Sequence, residues 1–268
     1  MILLHVPCPL CGADNASAPA LPASRDEWQL KQCARCGMVY LENPPEPEAL
    51  EEEMAWEKTF AEESATRRRR NPLLHKLGRA PKALVQGVTK RDKLVSLVTE
   101  FFEPGPVLDV GCAGGHTLLK LPAQYVPFGI EISHELSQRA SALFAPRGGR
   151  VVQGDALTGL QVLPRGEFTG VIMTSFLEHD IHARATLEET RRVMRSGARL
   201  IAKVPNYDSW NRALRGDRWC GFRFPDHVNY FTPETLLKLL QETGFQPVRF
   251  GIGDRMPTSD TMWVVAGC

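Results

Sequence analysis

The sequence predicts an α/β fold: a mostly parallel sheet covered by helices on both faces, preceded by a small N-terminal module built on cysteines. Three observations predict it. From residue 105 onward, short apolar runs alternate with amphipathic segments and turn signals. The first of these runs passes directly into a glycine-rich bend, "VLDVGCAGG" (Val107–Gly115). Residues 1–43 hold four of the seven cysteines, arranged as two C-x-x-C pairs.

The elements follow in order. Val107–Val110 reads as a buried strand, and Thr117–Leu121 opens a helix. Pro127–Ile132 is a second strand, followed by a helix over about Ser133–Phe144, and Arg150–Gln153 is a short third strand. "FTGVIMTS" (Phe168–Ser175) is a near-continuous apolar run, the mark of a strand buried on both faces. A helix over Ala183–Met194 stops at "RSG", where Gly197 suits a left-handed cap. "ARLIAKVP" (Ala198–Pro205) is the fifth strand. Thr232 and Pro233 supply an N-cap and a proline at the first helical position, so a helix runs to about Glu242 and Gly244 ends it. "FQPVRFGI" and "TMWVVAG" close the chain as a strand pair. Right-handed crossovers in such a sheet put a ligand at the carboxyl ends of the strands.

A chain of 268 residues is long enough for one large core with an appendage. The formal net charge of +1 provides no general field for nucleic acid or an anionic membrane. No apolar run approaches the ~20 residues that span a bilayer. "MILLHVPCPLCG" lacks the basic start and long apolar stretch of a secretory signal, so a cytoplasmic location is expected, with cysteines reduced or metal-bound. The division expected is a module over 1–43, a helical linker or cap over 44–104, and a ligand-binding domain over 105–268. The middle zone carries an acidic run over Glu46–Glu63 and then Arg67–Arg70, read as a solvated face or as a grip for an anionic acceptor.

The glycine-rich bend stands where the first strand turns toward its helix, and the backbone there must bend sharply beside a ligand. A dinucleotide site calls for G-x-G-x-x-G, which Gly111, Gly114 and Gly115 do not form. Asp109, inside the strand just before the bend, would repel phosphate and suits a cationic ligand. S-adenosylmethionine is such a ligand, with a sulfonium and an ammonium and no phosphate. Glu131 follows Asp109 by 22 residues, at the end of the second strand, where an acid accepts ribose hydroxyls. Asp155, in "GDA" after the third strand, is placed to take the adenine amino group.

With "VLDVGCAGG", "FGIEIS", "VVQGDA", "FTGVIMTSFLEH" and "RRVMRSGARLIAKVPN" in this order, residues 100–268 resemble the class I S-adenosylmethionine-dependent methyltransferases. The resemblance implies a Rossmann-like seven-stranded sheet whose last strand is antiparallel. It implies that Asp109 and the loop with Gly111, Cys112 and Gly114 hold the methionine part of the cofactor, Glu131 and Ile132 the ribose, and Asp155 and Ala156 the adenine, with Thr174 completing the pocket. Ala113 stands where glycine is common in the family; its methyl should be tolerated if φ is negative there.

"CPLCG" and "CARCG" set Cys8 and Cys11 against Cys33 and Cys36, with 21 residues between the pairs. Each pair wraps two thiolates around one side of a tetrahedron, and the spacing is near that of a structural zinc ribbon. Four thiolates leave no open coordination position, so the ion organises structure. Arg25, Lys31 and Arg35 balance Asp14, Asp26 and Glu27, and nucleic acid is not an expected partner. The ribbon-first order resembles bacterial enzymes that methylate sugars, cell-surface polysaccharides or natural products.

The methyl acceptor is expected beside the fourth and fifth strand ends. His179, in "FLEHD", is a candidate general base: an imidazole with pKa near 6.5 takes a hydroxyl proton as the oxygen attacks the methyl carbon. Glu178 and Asp180 orient it or bind a metal. The alternative reading has this segment only closing the cofactor pocket. "WCGFRFPDHVNYFTPETL" packs Trp219, Phe222, Phe224, Tyr230 and Phe231 into one loop, read as a lid or acceptor wall with His227 and Tyr230 as catalytic tips, or as a cover for the sheet edge. Asn206 and Tyr207 are further candidates. The expected activity is O-methylation of a small-molecule or sugar hydroxyl. Two alternatives stand beside it: an RNA-modifying enzyme gripping its substrate through the ribbon, and a catalytically silent cofactor-binding protein.

Overall fold

The computed structural model describes residues 3–45 and 92–268; the acidic run and Arg67–Arg70 lie outside them. Seven strands form the main sheet: β3 (Gly105–Val110), β4 (Tyr125–Glu131), β5 (Arg150–Gln153), β6 (Phe168–Thr174), β7 (Met194–Pro205), β9 (Gln246–Arg249) and β10 (Thr261–Gly267). Their order is β5-β4-β3-β6-β7-β10-β9. β3 pairs in parallel with β4 and β6, β4 with β5, and β6 with β7, whereas β10 runs antiparallel to β7 and β9. The strand order reverses between β3 and β6, where an open α/β sheet leaves a crevice for a ligand. The seven-stranded sheet with its last strand antiparallel is the one the sequence implied.

Helices cover both faces. α1 (Lys93–Phe101) is capped by Asp92 and seats Leu94, Leu97 and Val98 against Val107, Ile172, Ile201 and Val265. The sequence boundary at residue 104 therefore falls after a helix that packs with the sheet. α2 (His134–Phe144) begins at Ser133, whose hydroxyl accepts the Leu136 N–H at 3.3 Å. α3 (Ala156–Gln161) and α4 (Ala183–Val193) follow β5 and β6. α5 (Trp210–Arg215) is a short helix that the periodicity did not predict. α6 (Pro233–Glu242) starts at Thr232, which exchanges hydrogen bonds of 2.9 and 3.1 Å with Thr235. No helix among the described residues is long and apolar enough to cross a membrane.

Two expectations are corrected. The helix foreseen from Thr117 is only a 3₁₀ turn over Leu118–Lys120. Pro122 forces the residue before it out of helical conformation, and Leu121 is extended at ψ 147°. Gly197 does not cap α4. That helix ends at Val193 because Met194 is already extended and pairs with Phe168. Gly197, at φ +80°, instead serves the register shift that brings Arg199 opposite Gly170.

The N-terminal module is built into the larger domain. β1 (Leu30–Gln32) and β2 (Val39–Leu41) pair antiparallel, and β2 also pairs with β8 (Asn229–Tyr230) from the distant aromatic loop. Trp28, Leu30, Val39 and Leu41 pack with Trp219, Phe222, Val228 and Tyr230 in one apolar cluster. Most of the aromatic density of that loop is explained by this junction.

Candidate functional site

The two cysteine knuckles are built alike. Cys8 N–H donates to Ala13 O and Cys33 N–H to Met38 O, each at 2.9 Å; Gly12 N–H returns to Cys8 O and Gly37 N–H to Cys33 O, each at 2.8 Å. Both glycines are left-handed, at φ +70° and +76°, which is why the fifth position of each knuckle is glycine. The four sulfurs converge from the two turns, with Cys8 Sγ 3.4 Å from Cys36 Sγ and Cys11 Sγ 3.5 Å from Cys33 Sγ. All four thiols are free. A tetrahedron with ~2.3 Å metal–sulfur bonds has edges of about 3.8 Å, so the set fits a zinc ion and is too open for disulfides. Burial opposes ionisation of Cys33, but the N–H groups of Cys36 and Arg35 and the Cys11 thiol outweigh it and hold it down at about 6.

A cavity of about 590 Å³ opens at the carboxyl ends of the sheet strands. Its floor is the cofactor region anticipated from the sequence: Asp109, Gly111, Cys112, Glu131, Ile132, Asp155, Ala156 and Thr174 all line it, and Gly114 does not. Asp109 is buried, with Oδ1 lacking a hydrogen-bond partner. Burial, and then the neighbouring Glu131, raises its carboxyl well above the ordinary range. Glu131 ties the loop to the strand: its oxygens accept the N–H of Ala113 at 2.8 Å and of Ser133 at 2.9 Å. Asp155 caps α3, taking the Thr158 N–H at 3.0 Å and the Thr158 hydroxyl.

The loop geometry does not meet the condition set for Ala113. Ala113 has φ +46°, in the left-handed region, and the alanine methyl is carried there at the cost normally avoided by glycine. Its amide is held by Glu131, which supplies the compensating bond. Gly115 also has a role other than ligand approach. A Cβ there would meet Phe144 at 2.8 Å and Ala140 at 3.1 Å, so its glycine lets α2 close on the loop.

At the other end of the cavity, two segments far apart in sequence become one unit. The Glu178 carbonyl accepts the N–H of Val228 at 2.7 Å and of Asn229 at 3.0 Å, and the Asn229 amide donates to Leu177 O and Asp180 O. This brings the ring of His179 to 4.7 Å from that of His227, edge to face. His179 Nδ1 lies 2.8 Å from Asp226 O, and His227 Nδ1 lies 2.8 Å from Gly221 O. A carbonyl only accepts, so each neutral imidazole keeps its proton on Nδ1 and presents an Nε2 lone pair. Burial lowers His179 to about 4, and it lowers His227 well below the usual value with His179 and Arg223 adding to the effect. The pKa near 6.5 assumed from the sequence is therefore corrected: both rings are neutral at pH 7 but weaker proton acceptors. Glu178 is buried, Oε2 has no partner, and burial pushes its carboxyl up to about 8.

The remaining candidates lie elsewhere. Tyr230 is buried in the ribbon junction and does not line the cavity. Asn206 is occupied with Ser259 O and the Asp208 N–H, and Tyr207 packs at 6.0 Å against both Trp219 and Tyr230. Neither lines the cavity. Sequence reasoning missed Asp260, which does line it and accepts from Trp219 Nε1 and Ser209 Oγ, each at 2.9 Å. Only the approach of the segment before β10 reveals it.

The family model of a methyltransferase domain matches residues 84–249. The fold is similar to that of an S-adenosylmethionine-dependent methyltransferase from Clostridium acetobutylicum: TM-score 0.53, 11% identity, covering 72% of this chain and 98% of that one. It is also similar to the [4+2]-cyclase SpnF, with TM-score 0.50 and 20% identity, covering 66% of this chain and 80% of that one. A curated relative, an uncharacterised protein of Methanocaldococcus jannaschii, is 22% identical over 125 residues. That match takes in 46% of this chain and spans 59% of the relative's length. At these identities the structures establish a shared fold.

Proposed function

The chain belongs to the methyltransferase-domain family, and on that premise we propose that it transfers a methyl group from S-adenosylmethionine to a hydroxyl of a small molecule or sugar. The observation that carries this reading is the polarity of the cavity: the carboxyls of Asp109 and Glu131 at its floor, and two imidazoles that present Nε2 at its far end. S-adenosylmethionine, when bound, supplies a methyl group on a cationic sulfur that leaves readily. Asp109, whose unpartnered oxygen is costly as it stands, gains a cationic partner. Glu131, at the carboxyl end of β4 and lining the cavity, accepts the ribose hydroxyls. Asp155 and Ala156 frame the adenine, and Phe176 closes the loop from above, in contact range of any Cβ at Gly111.

At the acceptor end, the imidazoles orient a hydroxyl by accepting its hydrogen bond, which points the oxygen back along the cavity toward the methyl carbon. The wall formed by Trp219, Cys220 and Gly221 limits the acceptor to one that fits beside His227. Cys8, Cys11, Cys33 and Cys36 hold one zinc ion, whose role is to close the ribbon and so to brace the β2–β8 junction behind that wall. The division we propose keeps the ribbon over residues 1–43 and counts α1 (Lys93–Phe101) with the sheet domain, against whose core it packs.

The test is calorimetric titration with S-adenosylhomocysteine, followed by an acceptor screen with radiolabelled donor. Native protein is expected to bind the nucleoside, and Asp109→Asn to lose at least tenfold in affinity. His179→Ala and His227→Ala are expected to cut turnover on a true acceptor tenfold or more while retaining nucleoside binding. Absence of binding, with a dinucleotide bound instead, refutes the cofactor assignment. Binding without transfer to any hydroxyl would favour a different chemistry on the same fold, as in the cyclase that shares it.

A further inference from the structure

We propose that Glu178, His179 and His227 bind one divalent transition-metal cation at the acceptor end of the cavity. One ligand atom from each of these residues lies within 4.8 Å of the other two. Metal bonds of ~2.0–2.2 Å hold neighbouring ligands of one ion about 3.0–3.6 Å apart, so closure on an ion draws the three atoms together by about an ångström. The donor set is two imidazoles and a carboxylate, which suits manganese, iron, cobalt or zinc better than magnesium or calcium.

The surroundings have the features of a metal site. Each histidine gives its Nδ1 proton to a backbone carbonyl, Asp226 for His179 and Gly221 for His227. This fixes the tautomer and turns Nε2 outward, the arrangement by which an outer shell orients a metal-binding imidazole. The Glu178 carboxyl is equally poised: Oε2 is buried with no hydrogen-bond partner, and an ion binds there in exchange for its proton. A buried carboxyl whose Oε2 lacks a partner, set beside two imidazoles that present Nε2, is a donor grouping that a cation satisfies. Two cations act on the Glu178 carboxyl, Lys203 and then Arg223; Arg223 is ion-paired with Asp226 at 3.4 Å, which counters its repulsion of an ion. The backbone bonds from Val228 and Asn229 to Glu178 O hold the two ligand segments in register.

Three protein ligands leave coordination positions that open onto the cavity. A hydroxyl bound there is oriented and loses its proton to solvent more readily. This last consequence rests on the methyl-transfer reading; the cation site itself does not.

The experiment uses the full chain with its ribbon zinc retained and Mn²⁺ as the probe, followed by electron paramagnetic resonance. One Mn²⁺ per chain is expected to bind, in addition to about one zinc counted by mass spectrometry. Glu178→Gln and His227→Ala are each expected to weaken Mn²⁺ binding at least tenfold without changing the zinc count. Should either variant fold poorly, Co²⁺ added to native protein gives the same answer from its spectrum. Nitrogen and oxygen ligands produce visible ligand-field bands without the thiolate charge-transfer bands of a substituted ribbon. No saturable binding of either ion, or unchanged affinity in both variants, overturns the site. Cation binding with no hydroxyl methylated overturns only the reaction proposed above; methylation with no cation bound overturns only the site.

Discussion

Replacing Glu178 by glutamine in cation-free buffer should stabilise the chain, by an amount that depends on pH. Burial pushes the Glu178 carboxyl up to about 8 from an ordinary 4.5. The folded state thus keeps its proton to higher pH than the unfolded chain does. The carboxyl imposes no penalty below about pH 4.5, and stability is drawn down as pH rises toward 8. Each pH unit in that window takes about 1.4 kcal/mol, so by pH 7 the penalty is about 3 kcal/mol. That is a large share of the ~5–15 kcal/mol that holds a typical domain folded. Glutamine has the same shape and does not titrate, but its amide also lacks partners there, at a pH-independent cost of about 1 kcal/mol. The expected result is a gain of about 2 kcal/mol at pH 7 that shrinks to nothing near pH 5. Urea denaturation of both chains at pH 5, 6, 7 and 8 measures it. A difference that stays flat across this range would refute the reasoning, because it would mean that Glu178 is not the group held protonated by the fold.

Two further outcomes follow from the ribbon junction. Tyr230→Phe should change turnover and S-adenosylhomocysteine affinity by less than about threefold, since Tyr230 packs against the ribbon outside the cavity; a tenfold fall would place its hydroxyl among the reacting groups. Stripping zinc with a chelator, or introducing Cys36→Ser, should release β2 from β8 and shift the emission of Trp28 and Trp219, which share one cluster. Unchanged tryptophan emission in zinc-free protein would show that the ribbon does not depend on the ion.

Much of this molecule was legible where the determinants are local. Ser133, Thr232 and Pro233 mark helix starts because their caps need only the next three residues. The knuckles were legible because C-x-x-C-G encodes its own turn. The shortened helix at Leu118 was also written in the sequence, in Pro122, which disfavours helical conformation at Leu121. Ala113 was not legible. Its left-handed φ is supported by a carboxylate 18 residues away, and no local rule reports that bond.

The sequence by itself determined the alternating sheet, the four-sulfur module and the acid-flanked bend, because periodicity, turn chemistry and ligand spacing act over a few residues. The tertiary structure alone decided which groups share a site. It drew "FLEHD" and "FPDHVN" together through the Glu178 carbonyl and turned two separate histidine candidates into one cluster with a buried acid. It also moved Tyr230 from the proposed catalytic set into the ribbon junction. Such juxtapositions depend on how strands and loops pack across long separations, and burial then resets the proton affinity of every group brought inside.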